Sequence, residues 1–243
     1  MKPIIFYDLK LEGLGDRYWS PNPNKTRFAL NIKGLPYETV YLDFFAVHSE
    51  IPKITKSDRK PTVPVIVDPN TGAVVQDSWE IALYLDKQYP DAPRSLFHGE
   101  SNIGVHQLVY ESMQMPIISG VFRKCVLDIM RNLSGDLAKW FRQSRENMLG
   151  CSLEEFASDA DVQLEKSACA TLQSVHKVLE RNAYVTGSQV GYADALIAAW
   201  IYFLYVFHPD TFNAKILGQS QAFDDWWKRM GKFIQDKPPA DDE

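Results

Sequence analysis

The sequence predicts an α/β unit followed by an all-helical one. Three observations carry this: a strand–helix–strand pattern over residues 4–43, a β-hairpin that runs into a helix over residues 62–89, and no strand pattern beyond residue 94. Residues 4–8, Ile-Ile-Phe-Tyr-Asp, form the first buried strand, and a loop broken by Gly13 and Gly15 runs on to Trp19. Over residues 22–33 Phe28, Ala29 and Ile32 recur at helical spacing, and Gly34 follows as a stop signal. Residues 36–43 alternate as a second strand. Two strands joined through a helix are expected to be parallel. Residues 44–60 carry mixed signals and predict irregular chain with one short helix. Residues 62–67 are a short apolar run with Pro64 near its entry. The turn at residues 68–72, Asp-Pro-Asn-Thr-Gly, returns the chain as a strand at residues 73–75. Asp77-Ser78 opens a helix with Ile81, Leu83, Tyr84 and Leu85 on its apolar face, ending before Tyr89-Pro90.

Residues 91–94 read as a linker, so the expected domains are 1–92 and 93–243. Helices are predicted over residues 102–132, 134–150, 153–181, 193–207 and 222–235, with a polar tail from residue 237. Composition narrows the function. Hydrophobic residues are 45% and charged residues 23%, the balance of a folded globular protein. A net charge of −5 lacks the basic face that nucleic acid demands, so no nucleic-acid partner is expected. The most apolar stretch, residues 193–207, falls short of the ~20 residues that span a bilayer. No membrane association is expected, and the N-terminal run lacks the apolar core of a signal peptide. Cys125, Cys151 and Cys169 form no CxxC pair, and the histidines do not cluster at metal-ligand spacing. The expectation is reduced thiols, no metal and a cytoplasmic location.

In order and at fixed spacing, the chain carries Val63-Pro64 at a strand entry, a hairpin, Asp77-Ser78, and then Ile81, Tyr84-Leu85 and Tyr89-Pro90. This series resembles the second half of the N-terminal domain of cytosolic glutathione transferases. Residues 19–27, Trp-Ser-Pro-Asn-Pro-Asn-Lys-Thr-Arg, are similar to the first-helix signature of serine- and cysteine-type members. With residues 30–37 they most resemble the fungal FuA class, which is related to bacterial β-etherases and linked to wood phenolics. Gly191-Tyr192-Ala193-Asp194 looks like the family's capping motif, with glycine where most members have Ser or Thr. The resemblance implies a thioredoxin-like N-terminal domain that binds glutathione, an all-helical C-terminal domain, and a homodimer.

Glutathione chemistry needs the sulfur as thiolate, and a free thiol near pKa 8.5 is only a few per cent ionised at neutral pH. Ser20 precedes Pro21 at the start of the first helix. Two readings stand for it: a hydroxyl that hydrogen-bonds the sulfur where the helix dipole favours negative charge, or a plain N-cap. Asn22 and Asn24 share that turn, and Tyr7 ends the first strand as a further candidate. The resemblance implies that Val63, before a cis Pro64, pairs its backbone with the cysteinyl unit of glutathione. It also implies that Ser78 meets the γ-glutamyl carboxylate and Asp77 the α-ammonium, although both are also good capping residues. His48, Arg59 and Lys60 are candidates for the glycyl carboxylate. An acceptor pocket is expected between the domains, with Trp19, Tyr110, Met113, Met115, Phe122 and Tyr202 as candidate lining. The expected function is glutathione transfer to hydrophobic aromatic electrophiles, by conjugation or by ether cleavage. A ligand-binding protein for aromatic metabolites is the alternative.

Overall fold

A computed structural model describes residues 1–15 and 17–239. Four strands, β1 (Ile4–Leu9), β2 (Tyr37–Leu42), β3 (Val65–Asp68) and β4 (Ala73–Gln76), form one sheet in the order β2-β1-β3-β4. β1 runs parallel to β2 and antiparallel to β3, with Phe6 opposite Thr39 on one side and Ile66 on the other. Alternation along β1 buries Ile4 and Phe6 completely. Helices α1 (Pro21–Lys33), α2 (Phe44–Thr55) and α3 (Ser78–Gln88) complete a thioredoxin-like unit. α1 begins with Pro21, where a missing N–H costs nothing, and ends at Gly34 with φ of 68°. Residues 23–33 are all buried, because α1 lies between α3 and a long helix of the second half.

Residues 44–60, predicted to be largely irregular, contain the full twelve-residue helix α2. Asp43 caps it by accepting from the Ala46 N–H at 2.7 Å, and Phe44, Val47 and Ile51 form its buried stripe. His48, Ser49 and Pro52, interleaved with that stripe, obscured the period. The hairpin is anchored from beneath: the buried Asp68 carboxylate accepts from the hydroxyls of Tyr84 (2.6 Å) and Tyr89.

Beyond residue 100 the chain is helical, with α4 (Ile103–Arg131) and α5 (Gly135–Leu149) close to expectation. The single helix predicted over residues 153–181 is broken into α6 (Leu153–Ala157), α7 (Ala160–Gln163), a π-helical stretch (Leu164–Cys169) and α8 (Ala170–Leu179). Arg123 of α4 causes part of the break: its Nη1 donates to the Phe156 carbonyl at 2.6 Å and to Asp159 at 3.0 Å. The π-helical stretch closes on Gly120, where a Cβ would stand 3.2 Å from the Gln163 carbonyl and 3.3 Å from the Ala168 nitrogen.

Helix α9 (Tyr192–Phe207) is the axis of the second half and is buried on nearly every side. α10 (Pro209–Lys215) was not predicted, and α11 (Gln221–Met230) stops short of residue 235. Residues 231–236 turn back toward the first unit. The Asn31 amide donates to the carbonyls of Phe233 and Gln235, both at 2.8 Å, and the Tyr37 hydroxyl donates to that of Asp236 at 2.8 Å. One continuous apolar core runs through both halves. Among the described residues no helix is long and apolar enough to cross a membrane, and no cluster of side chains is placed to hold a metal.

Candidate active site

A cleft of about 380 Å³ opens where the loop after β1 and the starts of α1 and α2 face α4, α5 and α9. Ser20 lies on its wall, 7% exposed, as the N-cap residue of α1. Its carbonyl accepts the Asn24 N–H at 3.0 Å, while its side chain makes no capping bond. Of the two uses open to that hydroxyl, the cap is therefore not the one adopted, and the group is left at the N-terminal end of a thirteen-residue helix. Val63 lines the same cleft, and the Val63–Pro64 bond is cis. The neighbouring loop is held by Gln76, whose Nε2 donates to the Lys60 carbonyl (3.0 Å) and to Thr62 Oγ1 (2.9 Å).

Asp77 and Ser78 lie outside the cleft proper, at the start of α3, and are tied to it through Pro64, whose carbonyl accepts the Asp77 N–H at 3.2 Å. Asp77 holds φ at 89°, a left-handed value that a non-glycine residue adopts only against strain. From there its carboxylate caps α3, accepting from the N–H groups of Trp79 (2.8 Å) and Glu80 (3.4 Å). Ser78 is buried, and its carbonyl accepts the Tyr192 hydroxyl at 2.8 Å, which docks α9 onto α3. Near Asp77, the Lys25 ammonium is buried over the Tyr110 ring, 5.1 Å from its centroid, and donates to Gln114 at 3.1 Å. Burial pushes its pKa down to about 8, with the Asp77 charge opposing.

Other candidates divide. His48 and Lys60 line the cleft, and Arg59 does not; Asn22 lines it, whereas Asn24 is buried with both amide atoms unpartnered. Tyr7 sits within β1 opposite Val40 and Val65. Of the six expected pocket residues, only Trp19 and Phe122 reach the cleft. Tyr110 faces Lys25 and Trp79, Tyr202 stacks on Tyr18 at 5.1 Å, Met113 packs against the core, and Met115 points to solvent. Helical spacing placed them on the right helices and not on the right faces. Phe44, Trp140, Phe141 and Arg145 supply much of the wall instead. The signal for three of them was the Trp-Phe pair with Arg four residues later, which puts aromatic and cation on one face of α5.

This architecture has known counterparts. The family model described as Glutathione S-transferase, N-terminal domain, matches residues 14–93, and that described as Glutathione S-transferase, C-terminal domain, matches residues 104–236. The chain belongs to the glutathione S-transferase family, enzymes whose co-substrate is glutathione. Fungal transferases are among its structural neighbours. Glutathione transferase GSTFuA3 from Phanerochaete chrysosporium is 28% identical with a TM-score of 0.82, over 97% of this chain and 98% of that one. The transferase CsGST63524 of Ceriporiopsis subvermispora, solved in complex with glutathione, is 28% identical with a TM-score of 0.82, over 99% and 100%. In sequence, the glutathione S-transferase-like protein OpS6 of Beauveria bassiana is 26% identical over 78% of both chains. Glutathione S-transferase Z2 of Arabidopsis thaliana is 35% identical over 89 residues, which span 36% of this chain and 38% of that protein.

Proposed function

We propose that this chain transfers the sulfur of glutathione to hydrophobic aromatic electrophiles in the cleft beside Ser20. The observation that carries the reading is the Ser20 hydroxyl, which is free of the capping role and faces an aromatic-lined cleft from the N-terminal end of α1. A donor there stabilises the thiolate and lowers the thiol pKa, aided by the helix dipole. The sulfur then bonds to an electrophilic carbon. The leaving group departs with its electron pair, as halide or as the aryloxide of a cleaved ether, and the thiol proton passes to solvent.

In the same reading Val63, before Pro64, pairs its backbone with the cysteinyl unit. Ser78 receives the γ-glutamyl carboxylate, Asp77 the α-ammonium, and Lys60 with His48 the glycyl carboxylate. Support comes from the glutathione complex of the Ceriporiopsis neighbour and from the position of His48 and Lys60 on the cleft wall. The aromatic lining equally suits retention of aromatic metabolites such as wood polyphenols, so a ligand-binding role in detoxification is a second reading. We further infer domains of 1–92 and 93–243, a cytoplasmic location consistent with three free thiols, and a homodimer. The dimer rests on an exposed apolar stripe of α4, Val105, Leu108 and Met115.

Calorimetric titration of glutathione, with conjugation of an aromatic halide assayed alongside, tests the main reading. Ser20→Ala is expected to bind glutathione while kcat falls on the order of 10²-fold. Undiminished turnover in the variant removes Ser20 from the chemistry. Binding of aromatic ligands without turnover by the wild type favours the ligand-binding reading, and no glutathione binding at all overturns the transferase.

A further inference from the structure

The charge lining the cleft is of one sign. Lys60 and Arg145 carry it, with the His48 ring beside them, and no Asp or Glu is among the described lining residues. His48 and Lys60 belong to the first unit, where glutathione's own carboxylate is assigned above, and His48 meets the edge of the Trp140 ring at 5.4 Å. Arg145 belongs to α5, across the cleft, and that assignment leaves it unused. Its guanidinium lies 4.9 Å from the Phe141 ring centroid, 5.9 Å from Phe44 and 6.0 Å from Trp140. Among the described residues its hydrogen-bond partner is the adjacent Ser144 hydroxyl, at 2.9 Å, and it has no ion pair. Arg142, three residues earlier on the same helix, shows the ordinary alternative: it pairs with Glu146 at 2.9 Å and Glu154 at 2.8 Å. Burial lowers the pKa of Arg145 with no acid to offset it, yet an arginine stays charged. A cation held among three rings, with most of its N–H donors unspent, is a receptor for a planar anion.

We propose that Arg145 makes this enzyme selective for acceptors bearing an anionic group, an aromatic carboxylate above all, with the ring laid against the wall that Phe44, Trp140 and Phe141 form by packing on one another, at 5.6 and 5.5 Å from Phe44, and the carboxylate on the guanidinium. The proposal rests on the cleft being the transfer site. It places a specificity residue on the helical unit, opposite the residues that hold glutathione.

Two acceptors of nearly equal shape separate the effects: 4-fluoro-3-nitrobenzoate and its uncharged amide, 4-fluoro-3-nitrobenzamide. With either, the glutathione sulfur bonds to the ring carbon that carries fluorine, fluoride leaves with the electron pair, and the thiol proton goes to solvent. Each kcat/KM is divided by the uncatalysed rate with glutathione, which cancels the different activation of the rings. The wild type is expected to favour the benzoate by about tenfold. Arg145→Gln is expected to lose about that factor on the benzoate while the amide stays within about twofold, and Arg145→Lys to recover part of it. A wild-type ratio near one overturns the proposal. So does an equal loss on both acceptors in Arg145→Gln, or weakened glutathione binding in that variant, which would assign the guanidinium to glutathione. If glutathione fails to bind the wild type, the transferase reading has failed separately. Titration of the two probes alone then decides whether Arg145 still selects the carboxylate.

Discussion

His106 holds the start of α9 through an unprotonated ring nitrogen. The residue is 4% exposed, and its Nδ1 accepts the Ala193 N–H at 3.1 Å. Burial, and then the neighbouring His98, push its pKa down to about 4, against about 6.5 in an unfolded chain. Between those values the unfolded chain takes up a proton that the folded one refuses, so stability rises with pH there. The contribution is whole above about pH 6.5 and is lost as pH falls through about 4. Urea unfolding at pH 7 and pH 5 is expected to differ by about 2 kcal/mol from this group. His106→Asn, which keeps an acceptor that does not titrate, is expected to shrink that difference; an unchanged one would place the acid sensitivity elsewhere. The same helix start shows what a sequence conceals. Gly191 departs from the family's Ser or Thr because a Cβ there would lie 2.9 Å from the Leu96 carbonyl and from His98 Nε2. The junction relies on Asp194, whose carboxylate accepts from Val185, Thr186, Gly191 and Trp226. The positions of Ser20 and Val63 on the cleft wall and of Asp77-Ser78 at the start of α3 were legible because local chemistry marks them: a serine before proline at a helix start, a proline at a strand entry, an acidic cap. Arg145 was marked only by its spacing from Phe141, since its contrast with Arg142 depends in part on Glu154, an acid on a neighbouring helix.

Helix α4 carries the clearest unspent surface. Val105, Leu108 and Met115 are 62%, 67% and 65% exposed, and their spacing puts them along one face. Water against such a stripe is costly at about 25 cal/mol per Å² of apolar area, and a second copy would cover it. The native protein is expected to sediment at twice the chain mass, and Leu108→Glu to sediment as a monomer with its far-ultraviolet dichroism intact. A monomeric wild type would remove the dimer. Elements were legible wherever one face decides them, as in α3, α4 and α5, and α1 through its proline start and glycine stop. The run through residues 153–181 keeps a helical pattern from end to end, yet it breaks where Arg123 takes the Phe156 carbonyl and where Gly120 admits the π-helical stretch. Both causes lie on another helix, out of reach of any local window.

At the scale of the whole molecule, the two-part order was legible and the return of the chain was not. The bonds from Asn31 to Phe233 and Gln235 join residues 202 and 204 positions apart. Arg27, buried against Asp8 at 2.6 Å, also reaches Asp236 at 2.5 Å. Asn31→Leu keeps the volume and abandons two carbonyls. It is expected to cost about 2 kcal/mol, and to speed proteolytic cleavage between residues 231 and 239 well before the sheet is cut. Equal cleavage rates would show that the tail is held by its apolar contacts alone.

That strap also sets an order of assembly. A ribosome extrudes Arg27 and Asn31 some two hundred residues ahead of the carbonyls they will hold. The nascent thioredoxin-like unit therefore has Arg27 paired with Asp8 while the Asn31 amide is hydrated and the α9-facing side bare, and it reaches its final form only when the far end of the chain comes back to it.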